Sequence, residues 1–161
     1  MDIENEEFLL FLKCAQQNKL RYLCIGGYAV NYYGYHRYTD DMDIWIAPTN
    51  ENRNVFLDTL KCMRYSDKEI ESIKDEDFST HFMCTLGEPP YVIDVLTIIH
   101  KDINFDKAEN SAVTHQLQDN LELKMVPYSI LKEIKLRSTR DKDLFDIARL
   151  EEIRNKNKEG K

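Results

Sequence analysis

The stretch IGGYAVNYYGYHRYTDDMDIWI, residues 25–46, sets a glycine pair, Gly26-Gly27, thirteen residues ahead of an acid-apolar-acid triplet, Asp41-Met42-Asp43, in a β-prone apolar run. On a strand alternate side chains share a face, so Asp41 and Asp43 stand side by side while Met42 and Ile44 turn the other way into a core. Neighbouring carboxylates repel, and a divalent cation between them removes the repulsion. An all-oxygen site of this kind suits Mg²⁺ or Mn²⁺ rather than zinc. Asp40 is the nearest rival as a ligand, but the same alternation turns it to the opposite face.

The glycine pair follows RYLCI, residues 21–25, which reads as a buried strand, and precedes YAVNYY, residues 28–33, which reads as the first turns of a helix. Strand, glycines, then helix aims free backbone N–H groups and a positive helix end at a phosphate. Gly26, Gly27 and the helix start at Tyr28 are therefore candidate phosphate contacts. The third glycine of a dinucleotide fingerprint is missing, and so is the Gly-Lys-Ser/Thr of a P-loop. A tight turn that needs glycine for backbone reasons alone explains the pair without any ligand. The paired acids favour a triphosphate site built from a phosphate cradle and a metal-binding strand.

Metal-assisted phosphoryl chemistry usually needs one more carboxylate, so that a second ion can activate the attacking hydroxyl. The run YVIDVLTII, residues 91–99, is strongly β-prone and carries a single acid, Asp94. An acid inside such a strand is costly without a cation or hydrogen-bond partner. Val92, Leu96 and Ile98 share its face by alternation and are apolar, so a buried polar site competes with the simpler alternative of a solvent-facing acid.

The combination of Ile25-Gly26-Gly27, a spacer containing Arg37-Tyr38-Thr39, then Asp41-Met42-Asp43-Ile44 resembles the signature of the nucleotidyltransferase superfamily, the polymerase-β-like fold. Within it the chain looks most like small bacterial enzymes of the abortive-infection and toxin–antitoxin type, and more distantly like those that adenylylate lincosamide antibiotics. The likeness runs from about residue 20 to about residue 150. It implies an α/β (α+β) fold with a mixed sheet and flanking helices, and a third catalytic acid at Asp94. It also implies that Arg37 and Thr39 lie at the nucleotide pocket, and that Lys135 and Lys142 lie near the nucleotide, ordered by Asp143 or Asp146. Helix-surface ion pairs at short spacing are the simpler account of those lysines.

Composition is compatible with a small enzyme. The 161 residues are 42% apolar and 32% charged, enough for one domain with a core. The expected organisation is a single domain over 1–161, with a catalytic core at about 20–100, a helical part at about 128–155 and a frayed tail at 156–161. No apolar run approaches a membrane span, and the acidic opening MDIENEEF has the wrong sign for a signal peptide. The four cysteines, Cys14, Cys24, Cys62 and Cys84, form no Cys-x-x-Cys pair and read as reduced core residues of a cytoplasmic protein. The four histidines show no ligand spacing. A net charge of −7 disfavours wrapping of long nucleic acid, although LKEIKLRSTRDK, residues 131–142, forms a local basic patch.

Periodicity predicts helices over 4–18, 51–64, 129–137 and 141–155, with Asn50 or Thr49 capping the second. Ser66 to Glu69 reads as a capping box for a short helix. Strands are predicted at 41–47, and at 78–86 and 91–99 as a hairpin about Gly87-Glu88-Pro89-Pro90. A smaller hairpin is predicted from 112–117 and 121–126.

The activity expected is transfer of a nucleotide from a nucleoside triphosphate such as ATP to a hydroxyl, with two Mg²⁺ (or Mn²⁺) ions and Asp41, Asp43 and Asp94 as metal-binding catalytic acids. The acceptor stays open between a small hydroxylated molecule, a tRNA end and a protein side chain. The chain carries little beyond a catalytic core, so a homodimer or a partner protein is a candidate to complete the site. A catalytically inactive nucleotide- or partner-binding relative is the alternative. A metal-dependent phosphohydrolase would share the acids but gives the glycine pair no role.

Overall fold

The computed structural model describes residues 5–159, and the outermost ends of the predicted first helix and tail lie outside them. In chain order the elements are α1 (Glu6–Asn18), β1 (Tyr22–Cys24), α2 (Gly26–Tyr32), β2 (Asp41–Ile46), α3 (Asn50–Cys62), α4 (Asp67–Glu71), β3 (Met83–Glu88), β4 (Tyr91–Leu96), α5 (Phe105–Asn110), β5 (Val113–Gln116), β6 (Glu122–Met125), α6 (Tyr128–Leu136) and α7 (Asp141–Glu159). The fold is mixed α/β, as expected, around a six-stranded sheet of order β3-β4-β2-β1-β6-β5.

Both predicted hairpins form: β3 pairs antiparallel with β4, and β5 with β6. Longer connections put β2 parallel to β4 and β1 parallel to β6, while β1 and β2 run antiparallel at the centre. Every side chain of β1 is buried, which explains why Tyr22-Leu23-Cys24 shows no alternation. Met42 and Ile44 of β2 and Ile93 and Val95 of β4 are fully buried and join Phe8, Phe11 and Leu12 of α1 in the core. The opposite alternation carries Asp41, Asp43 and the buried Trp45 on β2, beside Asp94 on β4.

Local chemistry sets the element ends. The Thr49 side chain, not Asn50, caps α3 by accepting from the Asn52 N–H at 3.1 Å. Ser66 and Glu69 make the predicted reciprocal cap of α4. The strand predicted from residue 78 begins only at Met83. Upstream of it Phe78 and Phe82 stack at 4.4 Å, and the Phe82 N–H donates to the Thr97 hydroxyl at 2.8 Å. A side chain thus replaces a ladder partner there.

Three features depart from the sequence reading. Helix α5 was not expected; the Asn104 side chain caps it by accepting from the Lys107 N–H, and Arg21 ties it to β1 through Asp106 and Glu109. Helix α7 continues to Glu159, so residues 156–159 are helical rather than frayed. The cysteines are not all free thiols: Cys14 of α1 and Cys62 of α3 form a disulfide with their Cα atoms 5.7 Å apart, while Cys24 and Cys84 are free. Packing of α1 on α3 brings together two cysteines that are 48 positions apart in the chain, which spacing alone could not reveal. This pairing removes the cysteine argument for a reducing compartment. Among the described residues no helix is long and apolar enough to cross a membrane.

Candidate functional site

The parallel register of β2 and β4 sets Asp43 directly opposite Asp94, with Asp41 two residues earlier on the same face. One carboxylate oxygen from each of Asp41, Asp43 and Asp94 lies within 4.8 Å of the others, and all three residues are half-buried. Oxygens sharing one hard cation stand up to about 4–5 Å apart, twice a metal–oxygen bond, so the three carboxylates fit a divalent ion in spacing and in donor chemistry. Asp40 is exposed and takes no part in the group, as strand alternation requires.

Electrostatics agree with this geometry. Burial pushes the Asp43 carboxyl up to about 6; the charges of Asp41 and Asp94 add to this, and the Gly27 N–H and the Lys135 ammonium oppose it. Three acids held this close do not all ionise comfortably near neutral pH without a cation. Two hydroxyls fix the outer carboxylates. Thr39 donates to Asp41 Oδ1 at 3.1 Å, and Thr85 donates to Asp94 Oδ1 at 2.6 Å. Thr85 escaped the sequence reading, yet a two-residue turn at Pro89-Pro90 sets the hairpin register that places it opposite Asp94.

The glycines crowd the same spot. Gly26 has φ +61°, and a Cβ there would lie 1.7 Å from Asp43 Oδ2; a Cβ on Gly27 would lie 2.2 Å from the Thr39 hydroxyl. The pair therefore lets α2 start directly against the acids. Helix α2 begins at Gly26 rather than at Tyr28, and the Gly27 N–H that the sequence reading assigned to phosphate faces the Asp43 carboxylate instead.

Of the cations implied by the resemblance, Arg37 and Lys135 are engaged within the protein. Lys135 is buried and bridges Asp143 Oδ1 at 2.5 Å and Asp146 Oδ2 at 2.8 Å. Arg37 clasps both oxygens of Asp146, at 2.8 and 3.0 Å, and Arg140 Nε reaches Asp143 Oδ2 at 2.7 Å. The burial of Asp143 is outweighed by Lys135, Ser138 and Arg140, which hold its carboxyl at about 2. Arg37 thus shapes the loop before β2 rather than presenting a free guanidinium. Lys142 stands exposed on α7, and among the described residues nothing joins it to the acids or to Asp143 and Asp146. The basic patch of residues 131–142 is largely neutralised: Lys132 pairs with Glu151, and Arg137 with Asp102 and Glu133. Tyr28 is buried and, with Arg37 and Thr39, lines an adjoining cavity.

No protein-family model matches the chain, and no curated protein matches it significantly in sequence.

Proposed function

We propose that the chain is a divalent-metal-dependent nucleotidyltransferase of the polymerase-β-like type. The observation that carries the reading is the convergence of Asp41, Asp43 and Asp94 within 4.8 Å directly beneath a glycine-only helix start. An ion held by these carboxylates would supply charge neutralisation at a triphosphate and would lower the pKa of an attacking hydroxyl. Thr39 and Thr85 hold one oxygen each of Asp41 and Asp94, so the remaining oxygens keep their direction toward the centre. The absence of a Cβ at Gly26 and Gly27 lets the start of α2 pack directly on Asp43 and Thr39 and so holds both against the acidic group. Lys135 acts through the field it exerts on Asp43, its ammonium being held by Asp143 and Asp146.

In the reaction the acceptor hydroxyl oxygen bonds to the α-phosphorus, the bond from that phosphorus to the bridging oxygen breaks, and pyrophosphate leaves. Asp94, whose carboxylate also accepts from Thr85, takes the hydroxyl proton. A small, non-polyanionic acceptor is favoured over RNA, because the basic patch that kept RNA in view is mostly paired.

A second reading, a nucleotide-binding relative without transfer, is favoured by one observation: Arg37 and Lys135 both point into protein carboxylates. Incubation with Mg²⁺ and each labelled triphosphate, plus lysate small molecules, total tRNA or protein as acceptor, separates the two. Transfer predicts pyrophosphate and a labelled product that Asp41→Asn and Asp94→Asn abolish, with folding intact by circular dichroism. Binding without turnover supports the second reading, inorganic phosphate alone supports hydrolysis, and wild-type turnover in either variant removes the metal-centre proposal.

A further inference from the structure

The sheet ends on one side at β3, and the outer edge of that strand is open. Phe82 O accepts from the Thr97 N–H at 3.1 Å, so by alternation residues 82, 84, 86 and 88 turn their backbone groups inward to β4, in the register that sets Cys84 against Val95 and Leu86 against Ile93. Met83, Thr85 and Gly87 turn theirs outward. The Gly87 N–H donates to the Tyr65 hydroxyl at 2.8 Å, which agrees with this alternation and closes that end of the edge. Among the described residues nothing takes the outward N–H or C=O of Met83 or Thr85.

An edge of this kind is commonly blunted by a lysine, a proline or a very short strand. Here residues 82–87, FMCTLG, carry neither charge nor proline, and β3 is six residues long against four for β5 at the other edge. Met83 is 66% exposed, and Thr85 is exposed beside it.

The edge is complementary to itself. An antiparallel two-fold centred on Cys84 sets Met83 opposite the partner's Thr85, and Thr85 opposite the partner's Met83. Each of these pairs exchanges both of its N–H···O=C bonds, because the groups that face outward on one copy meet their counterparts on the other. A two-fold centred on Thr85 would instead call on the Gly87 N–H, which Tyr65 already holds. Charge agrees with the first register: exposed His81 precedes the segment and exposed Glu88 ends it, and antiparallel apposition brings the basic head of one copy to the acidic tail of the other.

We propose that β3 is a dimerisation edge, at which a second copy of this chain adds its own β3 antiparallel, with Cys84 facing the partner's Cys84, so that the two six-stranded sheets become one. The two-fold axis is normal to the sheet, and both acidic groups therefore open on the same side. On that side the partner's Met83 covers Thr85, the residue whose hydroxyl holds Asp94. The interface does not rest on the transferase reading.

Sedimentation equilibrium and amide hydrogen exchange on the full chain test it together. A monomer–dimer equilibrium that stops at two copies is expected, with protection of the Met83 and Thr85 amides rising with protein concentration while the Cys84 and Leu86 amides, already bonded to β4, stay unchanged. In a mixture of ¹³C-labelled and unlabelled chains, an intermolecular NOE between the Cys84 Hα atoms is expected from the register. Met83→Lys places a charge on the edge, and Met83→Pro removes an outward N–H without touching the β4 ladder; each is expected to weaken the dimer about ten-fold, with circular dichroism unchanged. A monomer up to about 1 mM, a dimer that leaves the Met83 and Thr85 amides unprotected, or assembly beyond two copies would overturn the proposal. So would a folded Met83→Lys variant that dimerises like the wild type, or a monomer whose two edge amides gain protection only when cell lysate is added, which would assign the edge to a different partner.

Discussion

Asp43 concentrates the conflict built into the acidic group. Its carboxyl stands at about 6 in the fold against an ordinary value of 3.8, first through burial and then through Asp41 and Asp94. Between those values the folded chain keeps a proton that the unfolded chain has released, so this residue's contribution makes stability fall as pH rises from about 4 to about 6. The full shift corresponds to about 3 kcal/mol, and solvent screening of a half-buried group reduces it. In EDTA, Asp43→Asn is therefore expected to lose most of this decline and to be more stable than wild type at pH 7, read from urea midpoints at pH 4, 5, 6 and 7. Identical slopes in the two proteins would show that Asp43 is not strained. Asp143, held at about 2, acts in another window: its contribution is present above about 3.8 and is lost as pH falls toward 2. At this scale the sequence was most informative about the acids, because strand alternation is local. Thr85 was missed because its role depends on a partner strand.

At the level of elements, α6 and α7 are joined to the loop before β2 by a chain of charges, Arg37–Asp146–Lys135–Asp143–Arg140, whose three central members are buried. Removing the central cation leaves two buried carboxylates short of a partner. Lys135→Met is expected to destabilise by about 3–5 kcal/mol and, because Lys135 opposes the upward shift of Asp43, to weaken Mn²⁺ binding at the acids. Denaturation and Mn²⁺ titration measure the two effects, and an unchanged urea midpoint would remove the supporting role. The family likeness brought Lys135, Asp143 and Asp146 into view, but it paired them with nucleotide and with Lys142. Helix periodicity places a side chain on a face without showing which acid the neighbouring helix presents there, and Asp146 turned out to face Arg37, 109 positions away in the chain.

Over the whole molecule, the disulfide staples α1 to α3, two helices that pack on each other. Closing a separation of 48 residues restricts the unfolded chain by up to about 4 kcal/mol on a chain-entropy account, with measured effects commonly about 2–4. The Cys14→Ser/Cys62→Ser double variant is expected to lose that much under oxidising conditions, and dithiothreitol to lower the wild-type melting temperature without affecting the variant. A wild type indifferent to dithiothreitol would mean that the two thiols are reduced in the native protein. The sequence alone determined the mixed α/β class, both hairpins, the paired acids on one strand face and the glycine turn ahead of them, since each follows from periodicity or from backbone freedom within a short window. Tertiary structure alone decided the parallel register that carries Asp94 to Asp43, the capture of Arg37 and Lys135 by buried acids, the Cys14–Cys62 bridge and the cavity lined by Tyr28, Arg37 and Thr39. Those features join segments distant in the chain, and which distant segments meet is settled by how the whole core packs rather than by any one stretch of residues.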